Sequence, residues 1–164
     1  MDELEKLAQT LGEGLHAHGE VLALAESCTG GMAAASITSI AGSSAWFDRG
    51  FVTYSNLSKT QMLGVSPTTL DRFGAVSEQT AEEMAKGALQ FSQATMAGSI
   101  TGIAGPTGGT LQKPVGTVCF AWAHQDGRLK LSTQLFSGDR AQIRHQATVH
   151  MLHGLMAMLT QASI

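Results

Sequence analysis

The sequence predicts an α/β protein in which a mixed β-sheet is covered by helices on both faces. Helical and strand patterns alternate through the first two thirds of the chain, and a hairpin signal joins two strands nearer its end. Alternating units build parallel strands between layers of helices, whereas a hairpin adds antiparallel strands. The predicted order of elements is αβαβαααβββα.

Hydrophobic spacing divides the first half of the chain into elements. Leu4, Leu7 and Leu11 recur about one helical turn apart, and the apolar run 21–25 is typical of a strand buried on both faces. Thr29 is placed to cap the helix that follows this strand. The predicted elements are a helix over 2–18, a strand over 21–25, a helix over 30–39, a loop or short turn over 41–47, a strand over 49–55, and a helix from Asn56 to about Leu63.

Capping residues and turn signals divide the second half. Pro67 favours the first position of a helix, Asp139 is a helix cap, and Gln125-Asp126-Gly127 is a hairpin signal. The predicted elements are a short helix from Ser66-Pro67, a helix over 77–93, a strand over 99–105, strands over 115–124 and 128–137, and a helix from Asp139 to about Leu159.

Composition excludes several classes of protein. The 164 residues indicate one domain over 1–164, and a net charge of −3 argues against a nucleic-acid binder that relies on bulk positive charge. No apolar run approaches the roughly 18–20 residues of a membrane span, and the acidic N-terminus is unlike a signal peptide. Two cysteines do not make a disulfide framework, so we expect a reducing cytoplasm.

Low charge and paired histidines bear on association and metal binding. Charged residues make up 14% of the chain, below the roughly 25% of typical domains, which favours self-association. His150 and His153 lie three residues apart but fall on the side of the last helix away from its apolar stripe. We therefore expect both histidines on a solvated face, with no metal and no cofactor.

The segment 25–31, A-E-S-C-T-G-G, is the first candidate for chemistry. It joins the end of a buried strand to a glycine turn and a helix, which is where α/β proteins bind ligands. N–H groups at a helix N-terminus favour a phosphate or a developing oxyanion, and Ser27 is a candidate nucleophile beside them. Cys28 competes with Ser27 for that role. The alternative is that Ser27 and Thr29 only cap the helix.

The segment 54–59, Y-S-N-L-S-K, is the second candidate. Lys59 lies about one turn into a helix, near its positive end, where a surface lysine is unfavourable. Partial desolvation there lowers the pKa of an amine and makes it a base. The alternative is an exposed lysine on a solvated face.

Two further segments carry candidate binding groups. Residues 101–109 place Thr101 and several glycines after a buried strand, so a ligand can approach the backbone closely; the spacing fits neither a Rossmann fingerprint nor a P-loop. A long hairpin-like connection is the alternative. Arg140 and Arg144 share one helix face and could grip an anion, whereas Arg140 could also form an exposed pair with Asp139.

Seven ordered motifs together resemble the CinA C-terminal domain family, over about residues 4–158. They are A-E-S-C-T-G-G at 25–31, A-G-S-S-A-W-F at 41–47, R-G-F-V-T-Y-S-N at 49–56, G-A-V-S-E at 74–78, T-G-I-A-G-P-T-G-G at 101–109, K-P-V-G-T-V at 113–118 and S-G-D-R at 137–140. The chain is similar to the stand-alone form, without the molybdopterin-binding-like domain of longer members.

The resemblance implies a three-layer α/β/α sandwich and a serine–lysine amidohydrolase. The activity it implies is hydrolysis of nicotinamide mononucleotide (NMN) to nicotinate mononucleotide and ammonia, by a homodimer. The family's serine, tyrosine and lysine fall on Ser27, Tyr54 and Lys59. Lys59 is expected to deprotonate Ser27, with Tyr54 orienting or relaying the proton.

Substrate contacts are expected on both sides of this centre. Backbone N–H groups of Cys28–Gly31 or Gly102–Gly105 are candidates for the oxyanion, and Gly30-Gly31, the 102–109 loop and Arg140, in that order, for the phosphate. The expected substrate-binding residues are Cys28, Thr29, Gly30, Gly31, Thr101, Gly102, Gly105 and Arg140.

Three other functions stay open at this point. A non-catalytic pyridine-nucleotide binding or sensing module would keep the site without turnover. A hydrolase could use Cys28 in place of Ser27. A partner protein in DNA uptake is a weaker alternative, because the sequence carries no basic stripe.

Overall fold

The predicted order of helices and strands is confirmed by the computed structural model of the chain. The structure describes residues 1–161; the last three residues of the predicted domain 1–164 lie outside them. In order, the elements are α1 (Glu3–Ala17), β1 (Leu22–Glu26), α2 (Met32–Thr38), a short 3-10 turn (Ser43–Ala45), β2 (Phe47–Val52), α3 (Asn56–Leu63), α4 (Pro67–Phe73), α5 (Glu78–Gln90), β3 (Met96–Gly102), β4 (Thr117–His124), β5 (Leu129–Leu135) and α6 (Arg140–Thr160).

The five strands form one mixed sheet, as the sequence predicts. Their order across the sheet is β2-β1-β3-β4-β5. Strands β2, β1 and β3 are parallel, whereas β4 runs antiparallel to both β3 and β5. Glu26 at the end of β1 is level with Val52 on β2 and Ile100 on β3. The segments that follow these three strands therefore meet at one edge of the sheet.

Helices cover both faces of the sheet, which makes the fold a three-layer α/β/α sandwich. Helices α1, α2 and α6 pack together on one face, and α5 lies across β1, β3 and β4 on the other, with α3 and α4 against it. Alternation along the strands divides the core in the same way. Leu24 and Trp122 belong to the cluster under α6, whereas Ala25 and Ala123 belong to the clusters under α5.

Small residues let α5 lie close to the sheet and let α3 lie close to α5. Ala81, Ala85 and Ala88 of α5 are fully buried in the two clusters beneath it. A Cβ atom added at Gly87 would overlap the Leu63 carbonyl group at the end of α3. This close packing fixes the position of α3, which carries Lys59.

Helix α2 differs from its prediction because its N-terminus is capped from the preceding strand. The helix begins at Met32, two residues later than predicted, and Thr29 does not cap it. The Thr29 hydroxyl instead donates to the Glu26 carboxylate, which also accepts the N–H groups of Ala33 and Ala34. The buried Glu26 carboxylate thus caps α2 in place of a Ser or Thr hydroxyl.

Other element boundaries differ by a few residues. Strand β2 ends at Val52, three residues before its predicted end, and β3 begins at Met96, three residues before its predicted start. Ser55, one residue before Asn56, supplies the N-cap of α3 through a capping box. Predicted strand boundaries shift in this way because pairing with neighbouring strands, rather than local composition, decides where a strand begins and ends.

The predicted solvated position of His150 is wrong. Its ring is half-buried and lies 4.5 Å from the Phe120 ring and 5.6 Å from the Trp122 ring, measured between centroids. These large side chains of β4 extend past the apolar stripe of α6 and cover the histidine. His153 is exposed, as predicted.

Candidate active site

Ser27 lies at the edge of the sheet where the parallel strands end. Its N–H donates to the Ile100 carbonyl at 2.9 Å, so its backbone continues the pairing of β1 with β3. Only 8% of the residue is exposed. Since strand neighbours alternate in direction, Ser27 follows Ala25 toward the α3 and α5 side, whereas the Glu26 side chain lies on the α2 side.

Lys59 reaches Ser27 from the first turn of α3. Its Nζ atom lies 2.9 Å from Ser27 Oγ and 2.8 Å from the carbonyl oxygen of Thr53, and only 1% of the residue is exposed. The capping box of Ser55 and Ser58 fixes where α3 begins and hence the direction of the lysine. The structure thus brings together two side chains that are 32 residues apart in sequence.

Burial lowers the pKa of Lys59 below its ordinary value, because the charged form is poorly solvated in this position. Within residues 1–161, no carboxylate lies within ion-pair distance of the amine to oppose that shift. A neutral Lys59 can donate one N–H to the Thr53 carbonyl and direct its lone pair at the Ser27 hydroxyl. This is the arrangement of a nucleophile with its general base.

Cys28 is unsuited to act as the nucleophile. Burial raises the pKa of its thiol to about 11, so the thiol stays protonated at neutral pH. The thiolate is the reactive form of cysteine. Of the two neighbouring candidates, Ser27 is therefore the one with an activating partner.

The N–H groups of the turn 27–31 are not all available to a ligand. Gly30 donates to the Ser27 carbonyl at 3.0 Å, and Gly31 donates to Glu26 at 3.3 Å. The N–H groups of Cys28 and Thr29 donate to no other residue in 1–161, although the Cys28 N–H contacts the thiol of its own side chain. The hydrogen bonds of this turn therefore give no support to the predicted anion site at Gly30 and Gly31, because both N–H groups already have acceptors and Glu26 occupies the N-terminus of α2.

A cavity of about 270 Å³ opens beside Ser27 and Lys59. It contains five of the eight predicted binding residues: Cys28, Thr101, Gly102, Gly105 and Arg140. The other three, Thr29, Gly30 and Gly31, do not line it. Asn56, Ala75 and Val76 also line the cavity, although they were not among the expected binding residues. Ala75 is held there because its carbonyl accepts the Thr101 hydroxyl at 2.8 Å.

Tyr54 lies at the mouth of the cavity rather than between Ser27 and Lys59. The residue is 60% exposed, and its hydroxyl oxygen accepts a hydrogen bond from Arg140 at 2.9 Å. Arg140 also donates to the Gly105 carbonyl at 2.7 Å, so its guanidinium group spans two sides of the opening. Lys59 contacts Ser27 directly, without the tyrosine hydroxyl between them.

Arg144 does not join Arg140 in gripping an anion. Its guanidinium group donates to the carbonyls of Cys28 and Thr29, both at 3.1 Å. The two arginines share a helix but contact different segments, since Arg140 lines the cavity and Arg144 lies behind the turn. Arg140 is also not paired with Asp139, whose carboxylate caps α6 by accepting the Gln142 N–H.

Two general features of the chain bear on its class. Residues 1–161 contain no group of three or more His, Cys, Asp or Glu side chains arranged to hold a metal ion. Every helix within that range is too short or too polar to span a membrane.

Comparisons with known proteins agree on one family. The model described as CinA C-terminal domain matches residues 4–159. A protein named nicotinamide-nucleotide amidohydrolase PncC from Enterobacter agglomerans is 56% identical over 149 residues, which cover 91% of each chain. A protein of the same name from Escherichia coli (strain K12) is 53% identical over 159 residues, which cover 97% of this chain and 96% of the relative.

A solved structure has the same architecture. The crystal structure of competence/damage inducible protein CihA from Agrobacterium tumefaciens matches with a TM-score of 0.95 and 45% sequence identity, and the match covers 98% of both chains.

The lowered pKa of Lys59 predicts a pH dependence of stability. Between the folded-state pKa and the value of about 10.4 for an exposed lysine, the unfolded chain binds a proton that the folded chain does not. Wild-type stability should therefore rise with pH through that window, relative to Lys59→Met, by up to about 1.4 kcal/mol per pH unit.

Urea unfolding of the wild type and of Lys59→Met at a series of pH values from 6 to about 10.4 measures this difference. Subtracting the two curves removes the contribution of all other titrating groups. A difference that is flat across the series would show that Lys59 keeps an ordinary pKa in the folded protein.

Proposed function

The chain belongs to the family of the CinA C-terminal domain, and from that premise we propose that it hydrolyses the carboxamide of NMN to nicotinate mononucleotide and ammonia. The contact of Lys59 Nζ with Ser27 Oγ beside an open cavity carries the proposal. The names of the relatives from Enterobacter agglomerans and Escherichia coli supply the substrate class.

The proposed reaction begins with the transfer of one proton. Neutral Lys59 takes the proton of the Ser27 hydroxyl, and Oγ forms a bond to the amide carbon. The positively charged pyridinium ring withdraws electrons from that carbon and makes it electrophilic. The C–N bond then breaks, and the lysine ammonium returns its proton to the departing nitrogen, which leaves as ammonia.

A second half-reaction regenerates the enzyme. A water molecule gives its proton to Lys59 and attacks the acyl-enzyme at the same carbon. The bond to Ser27 Oγ breaks, the serine recovers its proton from the lysine, and nicotinate mononucleotide is released. One base thus serves both steps, and burial, which lowers the pKa of Lys59, favours its neutral form.

The N–H group of Cys28 is proposed to bind the oxyanion of each tetrahedral intermediate. Cys28 directly follows Ser27 and lines the cavity, and within residues 1–161 its N–H donates to no other residue. Thr29 is fully buried and does not line the cavity. Donors that are already oriented stabilise the developing charge without rearranging during the reaction. The Gly102–Gly105 segment lies on another side of the cavity and is proposed to contact the substrate elsewhere.

Arg140 is the proposed phosphate ligand. It is the one arginine among the residues that line the cavity, and it lies at the mouth beside the exposed Tyr54. A guanidinium group can bind a phosphate through two N–H donors. Tyr54 is proposed to orient this arginine rather than to relay a proton.

We also propose that the chain forms a single domain and works in the cytoplasm as a homodimer. Cys28 and Cys119 are both unpaired and buried, as expected for a protein of a reducing compartment. The low charge of the chain supports association through its surface.

Replacement of Ser27 tests the nucleophile. Ser27→Ala should reduce ammonia release from NMN by about a thousandfold or more, because it removes the atom that forms the acyl-enzyme. Cys28→Ala is the matched neighbour and should retain most of the activity, since its thiol is protonated. Ammonia is measured with both variants confirmed as folded by circular dichroism.

The reverse ranking of these two variants would assign the reaction to Cys28. A folded wild type that binds NMN without releasing ammonia would indicate a binding or sensing module instead.

The pH dependence of kcat/KM tests Lys59 as the base. Activity should rise with pH as Lys59 loses its proton and level off above its pKa, which burial places below that of an exposed lysine. Initial rates of ammonia release over the stability range of the protein give this profile. An activity that is constant or falls over the same range would exclude a neutral Lys59 as the base.

Replacement of Arg140 tests the phosphate site. Arg140→Ala should raise KM for NMN by about tenfold or more, because one charge-assisted phosphate contact is lost. The KM for nicotinamide riboside, which lacks the phosphate, should change far less. Equal increases for the two substrates would place the phosphate elsewhere.

A further inference from the structure

Two charged side chains outside the cavity hold the turn that carries Ser27. Glu26 is the last residue of β1, and Arg144 lies in the second turn of α6. Neither lines the cavity, and the reaction described above uses neither of them. Both contact the backbone of the residues that follow Ser27. Glu26 accepts hydrogen bonds from N–H groups there, whereas Arg144 donates to carbonyl groups.

Glu26 binds the N–H side of this segment. Its carboxylate accepts hydrogen bonds from the Thr29 hydroxyl at 2.7 Å and from the N–H groups of Ala33 and Ala34, both at 2.9 Å. The side chain is 1% exposed, so these bonds lie in a region of low dielectric, where they are strong. They fix the start of α2 relative to the end of β1, with Ser27 between them.

Arg144 binds the carbonyl side of the same segment. Its Nε donates to the Cys28 carbonyl and its Nη2 to the Thr29 carbonyl. These residues precede Arg144 by more than a hundred positions, so the arginine fastens the turn to the layer of α6. A planar guanidinium group with two fixed donors holds two carbonyls in one orientation.

The orientation of these carbonyls decides where the free N–H groups point. In a trans peptide the C=O and the N–H point in opposite directions. The Ser27 carbonyl accepts the Gly30 N–H, and this bond sets the direction of the Cys28 N–H, which belongs to the same peptide as that carbonyl. Arg144 holds the Thr29 carbonyl, whose peptide carries the Gly30 N–H, and it therefore acts on the Cys28 N–H through this bond.

We propose that Glu26 and Arg144 are positioning residues for the reaction. Together they hold Ser27 Oγ at Lys59 and keep the N–H group of Cys28 directed at the oxyanion. The inference rests on the proposed function for its substrate. It assigns to Arg144 a role in catalysis through the backbone, in contrast to the direct contact with substrate that is proposed for Arg140.

Lys59 approaches from the opposite side of the sheet, and this separates the two roles. It is held by α3 and α5, whereas Glu26 and Arg144 belong to the layer of α2 and α6. Burial is the main cause of its lowered pKa, Cys28 opposes the shift, and neither Glu26 nor Arg144 contributes to it. Loss of either positioning residue should therefore lower the rate without moving the ascending limb of the pH profile.

The test uses Glu26→Gln, which keeps the shape of the side chain, and Arg144→Met, which keeps an unbranched apolar stem. Both remove the charge. Two remote residues supply matched controls. Asp2→Asn removes another carboxylate that caps a helix, at the Glu5 N–H, and Arg128→Met removes another arginine that binds two backbone carbonyls, those of Met158 and Gln161. Circular dichroism and urea unfolding confirm that each variant is folded.

Three quantities are measured for each variant: kcat and KM for NMN, the pH profile, and the rate at which a fluorophosphonate labels Ser27, followed by mass spectrometry. Glu26→Gln and Arg144→Met should lower kcat and the labelling rate by about tenfold or more, with KM within about threefold of wild type. The ascending limb should keep its midpoint. The two controls should stay within about twofold of wild type in kcat, KM and labelling rate, and they should keep its pH profile.

Several results would overturn the proposal. Unchanged kcat and labelling in folded variants would make both residues purely architectural, and a rise in KM at constant kcat would make them binding residues. If Arg144→Met does not fold, Arg144→Lys replaces it. This variant keeps a charge and one donor, so its kcat should fall between those of wild type and the Glu26→Gln variant.

The labelling rate separates this inference from the proposed function. If the wild type releases no ammonia from NMN, the assignment of the substrate fails. Slower labelling of Ser27 in the two variants would still support their positioning role, whereas equal labelling would overturn it.

Discussion

The contact between the Lys59 amine and the Ser27 hydroxyl is the constraint on which the rest of the structure depends. It joins the end of β1 to the first turn of α3 at 2.9 Å, and water is nearly excluded from both groups. It needs α3 to lie close to the sheet, and the alanines of α5 and the hydrogen atom of Gly87 make that approach possible. The largest aromatic side chains of the core, Phe120 and Trp122, lie in the cluster under α6, away from this contact.

The burial of Lys59 at this contact favours its proposed role as a base but destabilises the folded chain. A lysine in this position lacks the solvation of its charged form, which destabilises the folded chain at neutral pH. The Thr53 carbonyl offsets part of that cost, since it accepts a hydrogen bond at 2.8 Å. A carboxylate beside the amine would stabilise the fold further, but it would also keep the lysine protonated. Residues 1–161 place no such carboxylate within ion-pair distance of the amine, and the proposed role of Lys59 as a base depends on this.

Local signals in the sequence were sufficient to predict the order of elements and to single out Ser27 and Lys59 as candidates, whereas the pairing of the two was implied by the resemblance to the CinA C-terminal domain family. A strand, a glycine turn and a helix can be recognised within ten residues, and so can a lysine about one turn into a helix. Glu26 as the cap of α2 could not be predicted, because Thr29 is an ordinary capping residue at the expected place. Arg144 could not be placed either, since its partners are over a hundred positions away.

The position of Glu26 also makes the N-terminus of α2 a poor site for an anion, although a helix begins close to its expected place. The carboxylate accepts the first free N–H groups of α2 and compensates the positive end of its dipole. What α2 can offer is therefore an ordered turn. In the proposed function, positive charge for a phosphate comes from another element, because Arg140 at the start of α6 lies at the cavity mouth. This difference between α2 and α6 follows from one buried side chain, that of Glu26.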